Sequence, residues 1–233
     1  MPHWSWRVLV LAAALLSAGI AAVAAQPASP SSGTIAPGAE AAKPYEVEGF
    51  RSAKFGMDEA AVKRAIAADF AVKESAIAKE TNPLDRTVVL SVTVQDVLPE
   101  VAAARIHYIL GYSQKKLFQV VLIWGAGVSD TPPTAANVLT GAQLLLNYFL
   151  RQSFKPENRI VNAQLADGMT LLFQGIDEKG REVQLQYGTA PQPPREGETV
   201  EQAKAKPRSP FARLVYVEDP KNLDIYRIKP GQF

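Results

Sequence analysis

The chain has 233 residues, and its 25 Lys plus Arg against 23 Asp plus Glu give a formal net charge of +2. That balance, with no basic stripe, argues against a nucleic-acid partner. No cysteine occurs, which excludes disulfides, thiolate metal sites, a thiol nucleophile and a lipid-modified cysteine.

The chain opens MPHWSWRVLVLAAALLSAGIAAVAAQPAS. Arg7 supplies a short positive stretch, and Val8 to Ala25 is apolar or small throughout. Ala24 and Ala25 suit a signal peptidase. This is the pattern of a secretory signal peptide over residues 1–25, so the expected location is periplasmic or secreted. A retained membrane anchor is the alternative, because a span needs roughly 17–25 apolar residues. Residues 26–48, QPASPSSGTIAPGAEAAKPYEVE, are rich in Pro, Ser, Gly and Ala and read as a disordered linker.

A first α/β unit is expected over 49–125. FRSAKF, from Phe50, alternates weakly as a strand, and Gly56-Met57 breaks it. Asp58 is placed to cap a helix, because its carboxylate can accept orphan N–H groups. Ala61, Val62, Ala65, Ile66 and Phe70 then follow helical spacing. AVKESAIAKET (71–81) reads as a strand, and NPLD as a turn. RTVVLSVTVQDVLP puts Val88, Leu90, Val92 and Val94 on one face and Val89, Ser91 and Thr93 on the other. AAARIHYILGY and KLFQVVLIWG complete an antiparallel meander. Leu117 to Trp124 is apolar on both faces except at Gln119, which predicts a central strand or one covered on its second face.

A second unit is expected over 126–233. Pro132 and Pro133 lead into a helix from Thr134, with Val138, Leu139, Ala142, Leu145, Leu146, Phe149 and Leu150 on one broad face. RIVNAQL, MTLLFQGID and REVQLQYG read as strands, with turns at Asp167-Gly168 and Glu178-Lys179-Gly180. An exposed loop is expected over 190–210, then a last strand, FARLVYVED, and a tail without a clear pattern. The predicted fold class is therefore α+β, two tandem units, each a helix on a roughly four-stranded antiparallel sheet. A tandem cystatin-like arrangement fits the same order. Two such units can join into one long sheet with both helices on one side and the other face open.

FGMDEAAVKRAI resembles the start of small exported α/β modules, in which a Gly-Met-(Ser/Thr/Asp) turn caps a helix that ends before a sheet. Such modules occur in small outer-membrane assembly lipoproteins and, in tandem, in β-lactamase inhibitor proteins. GFRSAKFGM and ILGY are similar to stretches of exported proteobacterial proteins. The resemblance implies an exported binding module. The lipidated cysteine of the first group and the disulfides of the second are absent, and no inhibitory residue carries over.

Catalytic constellations are sparse in the sequence. Beyond the signal segment His107 is the one histidine, and a general base or metal ligand needs partners. Ser113-Gln114-Lys115-Lys116 matches S-x-x-K but falls in a hairpin turn without its companion motifs. No catalytic residue, metal ligand or cofactor is therefore assigned. If Val183, Leu185 and Tyr187 face the helix, Glu182, Gln184 and Gln186 line the opposite side, with Gln174, Arg105 and His107 as companions. These six residues form the candidate binding face. The preferred reading is a non-enzymatic envelope module that binds a protein or peptide through this face. Two other readings stay open: a small-ligand or lipid carrier lined by Phe149, Leu146, Phe118 and Trp124, and a hydrolase with a dispersed site.

Overall fold

The computed structural model describes residues 43–228 and Gly231, except 96, 99, 100, 102, 129–132, 167, 191–196, 200 and 203–206. The expected signal segment, most of the expected linker and the turn residue Asp167 lie outside the described residues. Two two-residue strands, β1 (Gly49–Phe50) and β2 (Ala53–Lys54), precede helix α1 (Glu59–Phe70). Strands β3 (Ala78–Thr81), β4 (Val88–Val94), β5 (Ala104–Leu110) and β6 (Leu117–Gly125) follow. Then come helix α2 (Ala135–Leu150) and strands β7 (Arg159–Gln164), β8 (Thr170–Ile176), β9 (Glu182–Ala190) and β10 (Ser209–Val217). The eight longer strands form one antiparallel sheet in the order β3-β4-β5-β6-β10-β9-β8-β7. The protein is thus mixed α+β, and its sheet is not split in two.

Each helix begins on a capping side chain: Asp58, as expected, and Thr134, expected as the first helical residue. Asp58 accepts the Ala61 N–H at 2.9 Å, and Thr134 Oγ1 accepts that of Asn137 at 3.2 Å. Each bond satisfies one of the donors that a first helical turn leaves orphaned. Both helices pack on the same face of the sheet. Val62, Ala65 and Ile66 of α1 and Val138, Ala142 and Phe149 of α2 join one continuous core. The sheet contributes Leu90, Val92, Ile106, Tyr108, Val120, Leu122, Trp124, Phe173, Val183, Leu185, Leu214 and Tyr216. Period-two alternation on β4 and β9 sends the expected residues to this side.

Several expectations need correction. FRSAKF is not one strand: Arg51 has φ +51 and turns the chain between β1 and β2. Its guanidinium lies over the Phe70 ring at 4.6 Å and donates to Asp69 O, which ties the turn to the end of α1. Of AVKESAIAKET only Ala78–Thr81 is a strand, and Glu74–Ala76 is a 3-10 turn. Within the expected linker, Tyr45 and Val47 are anchored to the fold, whereas Pro44 and Glu48 are exposed. Val47 is buried and donates its N–H to Asp177 Oδ2 at 2.9 Å, and Tyr45 N–H donates to Ser153 O. The bounds of loop 190–210 shrink, because Ala190 ends β9 while Ser209 and Pro210 begin β10. On α2, Leu139 and Leu150 are exposed at 38% and 40%. The broad apolar face is wider than the sheet beneath it can cover.

The tail folds back as a strap. From Glu218 to Ile228 it leaves β10 and crosses the face opposite the helices, where Leu223 and Ile225 pack against the cluster of Val89, Ile109 and Phe118. This explains why Leu117–Trp124 is apolar on both faces: β6 is central and part of its second face is covered.

Candidate functional site

The strand register sets the candidate face residue by residue. In one row across it lie Ser91, His107, Val121, Val215, Gln184 and Gln174. The next row holds Thr93, Arg105, Ile123, Arg213, Gln186 and Leu171. A third row, partly under the strap, includes Val89, Ile109, Gln119, Val217 and Glu182. All six sequence-derived residues therefore point away from the helices. They do not form one cluster. Arg105 and His107 stand on β5, and the other four on β8 and β9, with Val121 and Ile123 of β6 and Val215 and Arg213 of β10 between them.

The β8–β9 group is a hydrogen-bonded ladder. Gln174 Nε2 donates to Glu182 Oε2 at 2.9 Å, and Gln184 Nε2 donates to Glu182 Oε1. Gln186 Nε2 donates to Gln184 Oε1 at 2.7 Å, and Arg213 Nε donates to Gln186 Oε1 at 3.0 Å. Every amide of the ladder thus donates toward Glu182. Burial pushes the Glu182 carboxyl above its usual range, and the Gln174 and Gln184 amides offset part of that rise. Glu182 and Gln186 are each 6% exposed, so they act as the floor of the face, not as protruding contacts. Gln174, Gln184 and Arg213 are half-buried, as are Val121 and Ile123.

On β5, His107 Nδ1 lies 2.7 Å from Ser91 Oγ. No local signal marks this partner, because the pairing of Ser91 with His107 depends on the register of β4 on β5. Burial, with Arg105 as a lesser cause, lowers the His107 pKa to about 4. A general base works best with a pKa near the operating pH. This imidazole is a weak proton acceptor, and the Ser91–His107 contact reads as a satisfied buried pair. Arg105 donates to Val128 O at 3.1 Å, which fixes the guanidinium at the start of the β6–α2 connection.

Residues named for other chemistries are placed elsewhere. Ser113 and Gln114 give their backbone N–H groups to the two oxygens of Asp224, both at 2.9 Å, so the S-x-x-K stretch is a turn that the strap caps. Burial pushes the Asp224 carboxyl up, and these N–H donors outweigh it and hold the group below its usual range. Of the carrier lining, Phe149 and Trp124 are core and Leu146 packs on its margin, whereas Phe118 faces the strap. A register slip beside Ile109/Leu110 makes Phe118 the extra residue opposite them and sends it away from the helices. The buried Tyr108 hydroxyl and Trp124 indole N–H, both on the helix side, have no hydrogen-bond partner among the described residues. No group of three or more His, Asp or Glu among the described residues could hold a metal ion. No described helix is long and apolar enough to cross a membrane.

No protein-family model matches the chain, and neither does any curated protein or any solved structure.

Proposed function

We propose that this is an exported, non-enzymatic binding module that holds a segment of an envelope protein on the sheet face opposite its helices. The supporting observation is the make-up of that face. A half-exposed apolar strip, Val121 and Ile123, runs between a buried polar ladder on β8–β9 and the Ser91–His107 pair on β4–β5. Apolar centre with an organised polar surround is the anatomy of a protein-binding patch. The signal-like N-terminus supports an envelope location. The repeated chain order, a helix then four meandering strands, supports a tandem of two α/β modules joined through β6 and β10.

The test is a crosslinking pull-down from the native envelope with three proteins: wild type, Ile123→Asp and Gln184→Lys. A dominant partner lost from both variants, with their melting unchanged, is the expected result. A partner retained by both overturns the assignment of the face. A second reading, a carrier, draws on the partnerless Tyr108 hydroxyl and Trp124 N–H, which a bound acceptor would satisfy. Native mass spectrometry that finds a co-purifying small molecule, lost on Tyr108→Phe, would favour it.

A further inference from the structure

Helix α2 has a surface that the core does not explain. Its 16 residues, AANVLTGAQLLLNYFL, include no charged side chain, yet ten of them are exposed. Helix α1 shows the ordinary pattern: it carries Glu59, Lys63, Arg64 and Asp69, and Lys63 and Lys79 pair with Glu59. At 3.6 residues per turn, Val138, Ala142 and Phe149 define the buried line of α2. Ala136, Thr140 and Asn147 fall opposite that line. Leu139 and Leu150 flank them on one side, and Leu144 and Tyr148 on the other. Leu144 is 46% exposed and Tyr148 48%. The outward face is therefore a shallow valley of small and amide side chains between two apolar ridges, a shape that accepts a ridge of another helix.

We infer that this face docks a second copy of the chain, helix α2 against helix α2. An isologous interface sets each surface against itself. A helix face that carried a net charge would be set against the same net charge. The α2 face puts only neutral groups together, and Thr140, Gln143 and Asn147 are self-complementary, because a hydroxyl or amide can both donate and accept. A charged partner would find no counter-charge there. A lipid surface fits less well, because a membrane-binding face is apolar at its centre and basic at its polar flank. Here the leucines stand at the edges and the polar groups in the middle.

Sedimentation equilibrium of the purified protein across the micromolar range tests this. The expected result is a reversible dimer of the 25.2 kDa chain, or of its processed form. Leu144→Glu should weaken it roughly tenfold or more, because two carboxylates would be buried in one interface. Arg64→Asp on the outward side of α1 should leave it unchanged. Thr140→Lys repeats the test at a second position should Leu144→Glu fail to fold. A wild-type protein that stays monomeric throughout overturns the inference. So does a dimer indifferent to both α2 substitutions. Co-sedimentation of a monomeric wild type with anionic phospholipid vesicles, lost in Leu144→Glu, would assign the face to lipid instead.

Discussion

Gly111 shows how a single residue binds the C-terminal strap to the sheet. It sits in ILGY at the end of β5, and a Cβ there would run into the Asp224 carboxylate. Only a hydrogen in that place lets Asp224 reach the Ser113 and Gln114 N–H groups. Gly111→Ala should therefore cost about 1–3 kcal/mol in a urea titration, the usual range for overpacking. Combining it with Asp224→Ala should recover part of that loss. A Gly111→Ala protein with the wild-type midpoint would show that the strap is not seated in this way. His107 makes a second prediction. Its native pKa of about 4 lies below the ordinary value of 6.5. The unfolded chain takes up the proton first, so stability falls as the pH drops from 6.5 toward 4, by about 3 kcal/mol in all. The raised carboxyl of Glu182 acts in the opposite sense, because the native state protonates it first and gains stability as pH falls toward 4.5. Comparing wild type with His107→Gln at pH 7 and pH 4.5 isolates the histidine, and the variant should lose less stability on acidification. Equal losses would mean that His107 does not carry the proton linkage.

Helix α1 is attached to the sheet by very little. Its buried residues are Val62, Ala65 and Ile66, of which Ile66 is the largest and is 0% exposed. Gly56 N–H donates to Leu117 O, and Met57 O accepts from Leu117 N–H, both at 2.8 Å, so the turn before the helix is stitched to β6. Gly56 has φ +81, a conformation that a β-branched side chain strains against. Ile66→Asp should cost more than about 3 kcal/mol, because it buries an unpaired charge. Gly56→Val should lower the melting temperature as well. Wild-type melting of both proteins would refute this reading of the stretch. Much of it was legible beforehand, because a cap and a helical period are local signals. Asp58, Thr134 and the alternation of Val88–Val94 and Glu182–Tyr187 identify elements and faces without tertiary information. What was not legible depends on partners distant in the chain. The strap has no periodicity of its own, and its fit relies on Gly111, Val89 and Ile109. The packing of Tyr45 and Val47 relies on Ser153 and Asp177, more than a hundred residues away. For the candidate face, alternation placed Glu182, Gln184 and Gln186. It put Ser91 on the face of Val89 and Thr93 without marking it as the partner of His107, did not single out Arg213, and left no sign that Glu182 and Gln186 are buried.

At the scale of the molecule, β6 and β10 join the first four long strands to the last four through seven paired positions, from Phe211 opposite Gly125 to Val217 opposite Gln119. The core continues across this junction without a break. The strap adds a second link, because it starts on β10 and ends at the β3–β4 turn, where Tyr226 N–H donates to Asp85 O and Arg86 lies 3.8 Å from the Tyr226 ring centroid. The chain from Pro44 onwards should therefore unfold in one cooperative transition. Fragments 44–125 and 126–233, made separately, should each fail to show one, because each would expose an unpaired central strand edge. A sharp melt for either fragment alone would show that the halves are independent.

The proposed function places a partner on the face opposite the helices. The most direct measurement is site-specific photocrosslinking in intact cells, with a photoreactive residue at Ile123, at Gln184 or, as control, at Arg64. A partner on this face gives the same crosslinked product from Ile123 and Gln184 and none from Arg64. Crosslinks from Arg64 alone, or none from the two sheet positions, would contradict it.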